Sequence, residues 1–199
     1  MRRATAIKNL RTLAEGCDRA NPPDVDPILL EVYAYGHVLD PDFDDLRIVD
    51  VALVLDLPAE EVTWWALPSE TSWFVMVLRL DKVPVRVQWR PSVWPVWNHA
   101  IRRPLRIWSL DGGVDGEALD ALSAGQAERL RLPAPGPAEE AEQLAVELDA
   151  SLAHLRRARD GWDDREWHRT HKGGGVYPSE HLWRAVLGYL DLLDAAREG

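Results

Sequence analysis

The sequence predicts an α/β or α+β fold in which a mixed sheet is flanked by helices and followed by a C-terminal helical region. Three observations predict it. Four β-rich runs lie between residues 28 and 110, helical patterns alternate with them, and two long amphipathic patterns follow a proline-rich stretch. We therefore expect an α/β domain over residues 1–125, a linker over 126–137 and a helical domain over 138–199.

The first half of the chain alternates helical and strand patterns. Apolar residues at helical spacing predict a helix from the N-terminus to about residue 20. The runs "ILLEVYAYG" and "LRIVDVALVLD" are almost continuously apolar, which is typical of buried central strands. The stretch "LPAEEVTWWALP" begins and ends near prolines and indicates a short helix. Residues 69–80 have the composition of a strand but the spacing of a helix, and we predict a helix.

The middle of the chain contains two further strands and one short helix. "VPVRVQW" alternates apolar and polar residues, and "PLRIWSL" is a second strand pattern. "GEALDALSAG" indicates a short helix that ends at a glycine. The stretch "RLPAPGPAEE" has three prolines and a glycine in seven residues, which is typical of a linker.

Two long amphipathic patterns occupy the C-terminal part. The first covers residues 138–170, and the second covers residues 179–197 with Ser179 as its N-cap. "HKGGGVYP" between them indicates a turn. The apolar face of the first pattern consists of Leu144, Leu148, Leu152 and Leu155. The apolar face of the second consists of Leu182, Trp183, Val186, Leu190 and Leu193.

Composition excludes several classes of protein. The net charge of −10 argues against binding duplex DNA or anionic membranes through the whole surface. The single cysteine, Cys17, excludes an intramolecular disulfide and fits a reducing compartment. The chain has neither an apolar run of membrane-spanning length nor a signal-peptide pattern at its start. We therefore expect a cytoplasmic protein without a membrane segment.

The stretch "AYGHVLDPDFDDLRIVDVALVLD" carries the clearest chemical pattern. A predicted strand ends at Gly36, an aspartate-rich loop follows, and a second strand opens with Asp50. Two-metal nucleotidyl transfer uses carboxylates that hold Mg²⁺ against a triphosphate. Alternate residues of a strand share one face, so an Asp-x-Asp/Glu strand presents two such ligands together. A glycine turn before the strand lets backbone amides approach the phosphates.

Residues 29–56 resemble the nucleotidyltransferase superfamily, especially its minimal bacterial and antibiotic-adenylating types. Tyr35 and Gly36 match the start of the family pattern, and Asp50 falls where its first metal carboxylate belongs. A mixed-sheet domain, a proline-rich joint and a C-terminal helical region also agree with the layout of the antibiotic-adenylating type. The resemblance implies a nucleotide-binding cleft next to Asp50.

Three positions depart from this pattern. His37 stands where the family has Ser or Gly, Ala52 replaces the second carboxylate, and "VPVRVQW" offers Arg86 where a third acid is expected. Mg²⁺ prefers several oxygen ligands and would keep only Asp50 from the protein. An unrelated fold with a coincidental motif is the third interpretation, beside an inactive relative and an active one with rearranged ligands. Asp50 and His37 are the candidate catalytic residues.

A basic, tryptophan-rich segment over residues 79–106 is the second candidate feature. It contains seven basic residues and one acid, Asp81, which gives it a charge of +6 and leaves −16 for the rest of the chain. Guanidinium groups bind phosphate or carboxylate, and indoles stack on bases. The alternative is that its tryptophans fill a joint between domains and its arginines pair with acids near residues 139–147. The candidate ligand-binding residues are Gly36, His37, Arg86, Arg90, Trp94, Trp97, Arg102 and Arg103.

Histidines near the C-terminus form a candidate metal site. His168 and His171 are three residues apart on a predicted helix, and His181 follows the glycine-rich turn. This spacing can bind zinc or another transition metal, and Asp164 lies four residues before His168. The alternative is a polar helix end whose histidines cap carbonyls or pair with aspartates.

We therefore expect a non-catalytic or repurposed nucleotidyltransferase-like protein that binds a nucleotide-like or acidic ligand. One alternative is an active Mg²⁺-dependent nucleotidyltransferase, the only case that requires a cofactor. The other is an interaction module whose C-terminal helices bind a protein partner or a second copy. The stretches "RPSVWPVWNHAIRRP" and "WDDREWHRTHKGGGVYPSEHLWRAVLGYLDLLDA" also resemble a bacterial, actinobacterial family of unassigned function.

Overall fold

A five-stranded mixed sheet forms the centre of the protein, in a computed structural model that describes residues 1–24, 26–172 and 177–198. The strand order is β3-β2-β1-β4-β5; β2 and β3 run parallel, and the other neighbours are antiparallel. The predicted α/β class and the four predicted strands are confirmed. The strands are β1 (Leu29–Tyr35), β2 (Val49–Leu55), β3 (Val85–Pro91), β4 (Leu105–Ser109) and β5 (Gly113–Val114).

Helices cover both sides of the sheet. The helix predicted within residues 69–80 is present as a 3₁₀ turn, Ser69–Thr71, followed by α2. Two further 3₁₀ turns are Gly36–Leu39 and Ala127–Leu130. Among the described helices, none combines the length and the apolar character needed to cross a membrane. The helices are α1 (Arg3–Cys17), α2 (Ser72–Val77), α3 (Gly116–Ser123), α4 (Pro137–Gly161), α5 (Arg165–Thr170) and α6 (Pro178–Glu198).

The helix predicted for residues 57–68 is wrong, because this segment consists of turns. The indole N–H groups of Trp64 and Trp65 both donate to the carboxylate of Asp191 on α6, at 3.3 and 2.6 Å. In an α-helix, the side chains of adjacent residues point about 100° apart. Trp65 instead has a left-handed φ of 62°, which an α-helix does not contain, and the two indoles meet at one carboxylate. Tertiary contacts with α6 therefore override the local helical pattern.

The long helix predicted for residues 138–170 is two helices. An added Cβ on Gly161 would lie 2.6 Å from the indole of Trp167, so the chain folds tightly back at the end of α4. Asp164 then caps α5 by accepting a hydrogen bond from the backbone N–H of Glu166. Because α6 begins at Pro178, Ser179 lies inside its first turn and is not the N-cap. Residues 173–176 of the predicted turn lie outside the described residues.

The two faces of the sheet bury two separate apolar clusters. Odd-numbered residues of β2, such as Leu53, join the cluster beneath α1 and α3. The even-numbered Ala52 and Val54 join the second cluster, against which Leu144 and Leu148 of α4 pack as predicted. Burial on both faces explains why the central strands are continuously apolar. The predicted division into two domains stays a prediction.

The predicted apolar face of α6 is only partly correct. The residues that α6 buries include Ala185, Gly188 and Leu192, whereas Trp183 and Leu190 are 56% and 45% exposed. A Cβ on Gly188 would overlap the carbonyl oxygen of Trp64. Because the backbone crosses so closely there, the helix turns its small residues inward and two of its large apolar ones outward.

Candidate functional site

Asp50 forms an ion pair with Arg86 at one end of the sheet. The parallel register of β2 and β3 sets the two residues side by side, and Nε of Arg86 donates to Oδ1 of Asp50 at 2.6 Å. Asp50 is buried, whereas the Arg86 side chain is 47% exposed. The hydrogen bond to Asp50 raises the pKa of Arg86, so the guanidinium stays charged. The predicted metal carboxylate is thus neutralised by an arginine.

Gly36 forms the turn that closes over this pair. Its φ is +71°, a left-handed conformation that favours glycine. An added Cβ would also lie 3.0 Å from Oδ2 of Asp50. The sequence pattern of a glycine before the aspartate strand therefore corresponds to a close backbone approach to the carboxylate.

An open cavity of about 390 Å³ adjoins Gly36. The exposed ring of His37 lies at its wall and stacks on Phe43 with 4.5 Å between ring centres. Glu128 and Arg131 line the cavity as well and pair with each other at 2.9 Å. The Gly36 turn, an imidazole, a guanidinium and two carboxylates thus line one small space, and Gly36 connects it to Asp50.

The carboxylates that could assist Asp50 are engaged elsewhere. Asp44 accepts a hydrogen bond from the backbone N–H of Arg3 at 3.2 Å, and Asp45 pairs with the N-terminal amine at 3.8 Å. Within residues 1–24, 26–172 and 177–198, no three His, Cys, Asp or Glu side chains are placed to hold a metal ion. The residues present therefore do not fit the Mg²⁺ site that the resemblance implies.

The described contacts of Arg90 hold helix α4 against the sheet rather than form a binding site. It is fully buried and forms two hydrogen bonds, of 2.6 and 2.9 Å, to the carboxylate of Glu147 on α4. Asn98 and Gln143 donate to the same carboxylate, at 3.1 and 2.9 Å. Burial alone would raise the pKa of Glu147, but the charge of Arg90 and these hydrogen bonds lower it. The network joins α4 to the edge strand β3.

The remaining candidates of the basic segment are spread over several places. The Cζ atom of Arg90 lies 5.7 Å from the ring centre of Trp94, so Trp94 belongs to the buried network. Trp97 is partly buried. Arg102 pairs with Glu140 of α4 at 2.6 Å, and its side chain stays 68% exposed. Trp94 and Arg102 thus belong to contacts with Arg90 and with α4 rather than to the Asp50–Arg86 pair.

Arg103 is linked through an ion pair to the cavity next to Gly36. It pairs with Glu128, which lines the cavity and also pairs with Arg131. Its backbone has a positive φ of 45°. Arg103 thus stands behind the cavity as the partner of a lining carboxylate.

The structure brings together only two of the three candidate metal-binding histidines. The rings of His171 and His181 lie 5.0 Å apart, and His171 also stacks on Trp167 with 4.3 Å between ring centres. Nε2 of His168 instead lies 2.5 Å from the carbonyl oxygen of Trp162, which agrees with the alternative of a carbonyl-capping histidine.

Sequence reasoning missed His154 of α4. It lines a cavity of about 390 Å³ together with His171 and His181. Burial, followed by the charge of Arg157 and the neighbouring histidines, lowers the pKa of His154 to about 4. Its spacing from the buried Ser151 and Ala158 on the helix was the one available signal.

Comparison with known proteins gives a family. The model of the family described as "Domain of unknown function (DUF7711)" matches residues 1–198. The chain belongs to the DUF7711 family. No match was found among the curated proteins or among the solved structures. The expectation of a family without an assigned function is confirmed, but DUF7711 membership indicates no nucleotidyltransferase family, and that resemblance stays a prediction.

Proposed function

We propose that this DUF7711 protein is a non-catalytic, nucleotidyltransferase-like protein that binds a nucleotide-like or acidic ligand at the Asp50 end of its sheet. The ion pair of 2.6 Å between Asp50 and Arg86 is the observation that carries the proposal. One oxygen of Asp50 is bonded to this guanidinium, whose other N–H groups can donate to an anion but cannot bind a metal ion.

The donors of Arg86 suit a phosphate or carboxylate group. A guanidinium has five N–H donors, and among the described residues only Nε of Arg86 has a hydrogen-bond partner. The exposed half of the side chain can therefore bind a second, external anion without breaking the pair. The backbone at Gly36 and the ring of His37 would also adjoin such a ligand, in a cavity where Arg131 is paired with Glu128.

The covering of the neighbouring sheet surface supports a non-catalytic role. Asp50, Ala52 and the β3 residues in register with them share one face of the sheet. The resemblance would require three carboxylates on this face, but α4 covers it with Leu144 and Leu148 and ties Glu147 to Arg90. The strand end next to Gly36 borders an open cavity.

A thermal-shift panel tests this proposal with the four nucleoside triphosphates, each with and without Mg²⁺ or Mn²⁺. We expect nucleotides to raise the melting temperature without metal, and we expect Arg86→Gln to abolish that shift. Asp50→Ala should keep the shift, because it leaves the guanidinium in place. Arg106→Gln is the matched control, since Arg106 is 49% exposed and pairs with Glu31 on β1.

Two outcomes would contradict the proposal. A shift that requires metal and disappears in Asp50→Ala would favour the alternative of a Mg²⁺-dependent nucleotidyltransferase. No shift with any nucleotide would favour the alternative of a protein-interaction module. The exposed Trp183 and Leu190, which lie seven residues apart on α6, would then be the first residues to test.

A further inference from the structure

A second groove lies between α2 and the helices α5 and α6. Its volume is about 760 Å³, and it shares no lining residue with the cavity next to Gly36. Leu67, Val75, Met76 and Trp89 form its apolar walls. Small-molecule sites are usually concave, mainly apolar and of this size, with a few polar groups that orient the ligand.

The charged side chains of this groove are mainly cationic, and hydroxyl groups of four serine and threonine residues line it as well. Arg79, Lys82 and Lys172 line it together with one acid, Asp81, which pairs with Lys82 at 2.9 Å. This excess of positive charge occurs in a protein with a net charge of −10. His171 and His181 stand where the groove meets the cavity of about 390 Å³ that holds His154, because both rings line both spaces.

Arg79 occupies a backbone position at which glycine is the usual residue. Arg79 has a φ of 54° and follows α2, where the backbone N–H of Leu80 donates to the carbonyl oxygen of Val75 at 3.0 Å. Glycine is the usual residue at this position after a helix, and a residue with a side chain pays a conformational cost there. A left-handed arginine whose side chain lines a groove therefore motivates a ligand-binding hypothesis for that side chain.

Met76 supports the same conclusion. Its side chain is 64% exposed although methionine is apolar, and it lies on the groove wall three residues before Arg79. Flexible, polarisable methionine side chains are common on surfaces that adapt to apolar ligands.

We propose that this groove binds a monocarboxylate with an apolar body. The carboxylate pairs with Arg79 at the rim, and the apolar body lies along Val75, Met76 and Trp89. This site is independent of the proposed nucleotide-like site, since neither Arg86 nor Gly36 contributes to it.

Isothermal titration calorimetry tests the proposal with octanoate, 2-naphthoate and the uncharged octanamide. We expect saturable binding of a carboxylate, and the tighter of the two acids tells whether the natural body is alkyl or aromatic. Octanamide should bind at least about tenfold more weakly, which is the loss expected when a charge-assisted hydrogen bond is missing. Binding of neither acid, or equal binding of octanoate and octanamide, would overturn the proposal.

The variant Arg79→Gly separates a ligand-binding role from a structural one. Glycine relieves the left-handed backbone, so we expect the melting temperature to rise by about 2–4 °C. Affinity for the carboxylate should fall about tenfold in the same variant. Lys8→Gln is the control, because it removes an equal charge from the exposed face of α1. It should change neither the affinity for octanoate nor the preference for octanoate over octanamide.

Met76→Glu is a second variant, and it should fold normally because Met76 is 64% exposed. The added carboxylate should repel the ligand and weaken binding by about tenfold or more. Unchanged affinity in both Arg79→Gly and Met76→Glu would place the bound acid elsewhere and refute the assignment of this groove.

Discussion

The buried pair of Arg90 and Glu147 gives the sharpest stability prediction. Each oxygen of the Glu147 carboxylate accepts two hydrogen bonds, one from Arg90 and one from either Gln143 or Asn98. In Glu147→Gln, the amide NH₂ must face two of these donors in either orientation. The same change leaves the charge of Arg90 buried without its counter-ion. We expect the free energy of unfolding to fall by about 3–5 kcal/mol.

Urea unfolding followed by far-UV circular dichroism measures this loss. Glu140→Gln is the matched control, because Glu140 lies on the same helix and pairs with Arg102, whose side chain is 68% exposed. An exposed pair of this kind contributes about 0–1 kcal/mol. A loss in Glu147→Gln no larger than in Glu140→Gln would refute the conclusion that the buried pair holds α4 on the sheet.

A double replacement separates the cost of an unpaired charge from the value of the pair. In Arg90→Met with Glu147→Leu, no charge stays buried, so the free energy of unfolding should return to within about 1–2 kcal/mol of the original protein. If the double variant were as unstable as Glu147→Gln, lost packing rather than the orphaned charge would explain the single variant.

Two further predictions concern His154 and Gly36. The pKa of His154 is about 4 in the folded protein and about 6.5 in the unfolded chain. Below pH 6.5 the unfolded chain takes up a proton that the buried ring does not. The free energy of unfolding should therefore fall as the pH drops from about 6.5 toward 4. Urea unfolding at pH 7.5 and pH 4.5 should reveal a loss of about 3 kcal/mol or less from this residue, and His154→Gln should remove it; an identical pH profile in that variant would contradict the assignment. Gly36→Ala should destabilise the protein by about 1–2 kcal/mol, because the left-handed φ and the approach to Asp50 both oppose a Cβ, and an unchanged melting temperature would show that the turn can rearrange.

Strands β1 to β4 were predictable because each is a short run rich in β-forming residues, whereas the two-residue strand β5 was not predicted. Helix α2 was predictable from the spacing of Trp73, Met76, Val77 and Leu80, although its composition favours a strand. Residues 57–68 were not, because Trp64 and Trp65 meet an aspartate of α6 that lies more than 120 positions later. Local patterns carry no information on such a contact.

The candidate site was predictable to a similar degree. The glycine turn and the aspartate strand meet as the sequence pattern indicates, since hairpin register follows from two adjacent strands. Arg86 and Arg90 are alike in the sequence, but α4 covers only Arg90, and that helix lies about fifty residues further along the chain. The groove at Arg79 joins segments almost a hundred residues apart, so no spacing rule could indicate it.

The even-numbered face of β3 contains both the buried ion pair and the arginine of the proposed binding site. Arg86, Gln88 and Arg90 follow one another at alternate positions on this face, with exposure that falls from the strand end toward α4. The buried end needs Glu147 to neutralise it, and that requirement fixes where α4 lies. The open end has Asp50, which satisfies a single donor atom of Arg86 and leaves the others directed to solvent or ligand. Both arginines are paired with a carboxylate, but Arg90 is fully buried and Arg86 is half exposed, so we expect changes at Arg90 to affect folding and changes at Arg86 to affect the proposed binding of an anion.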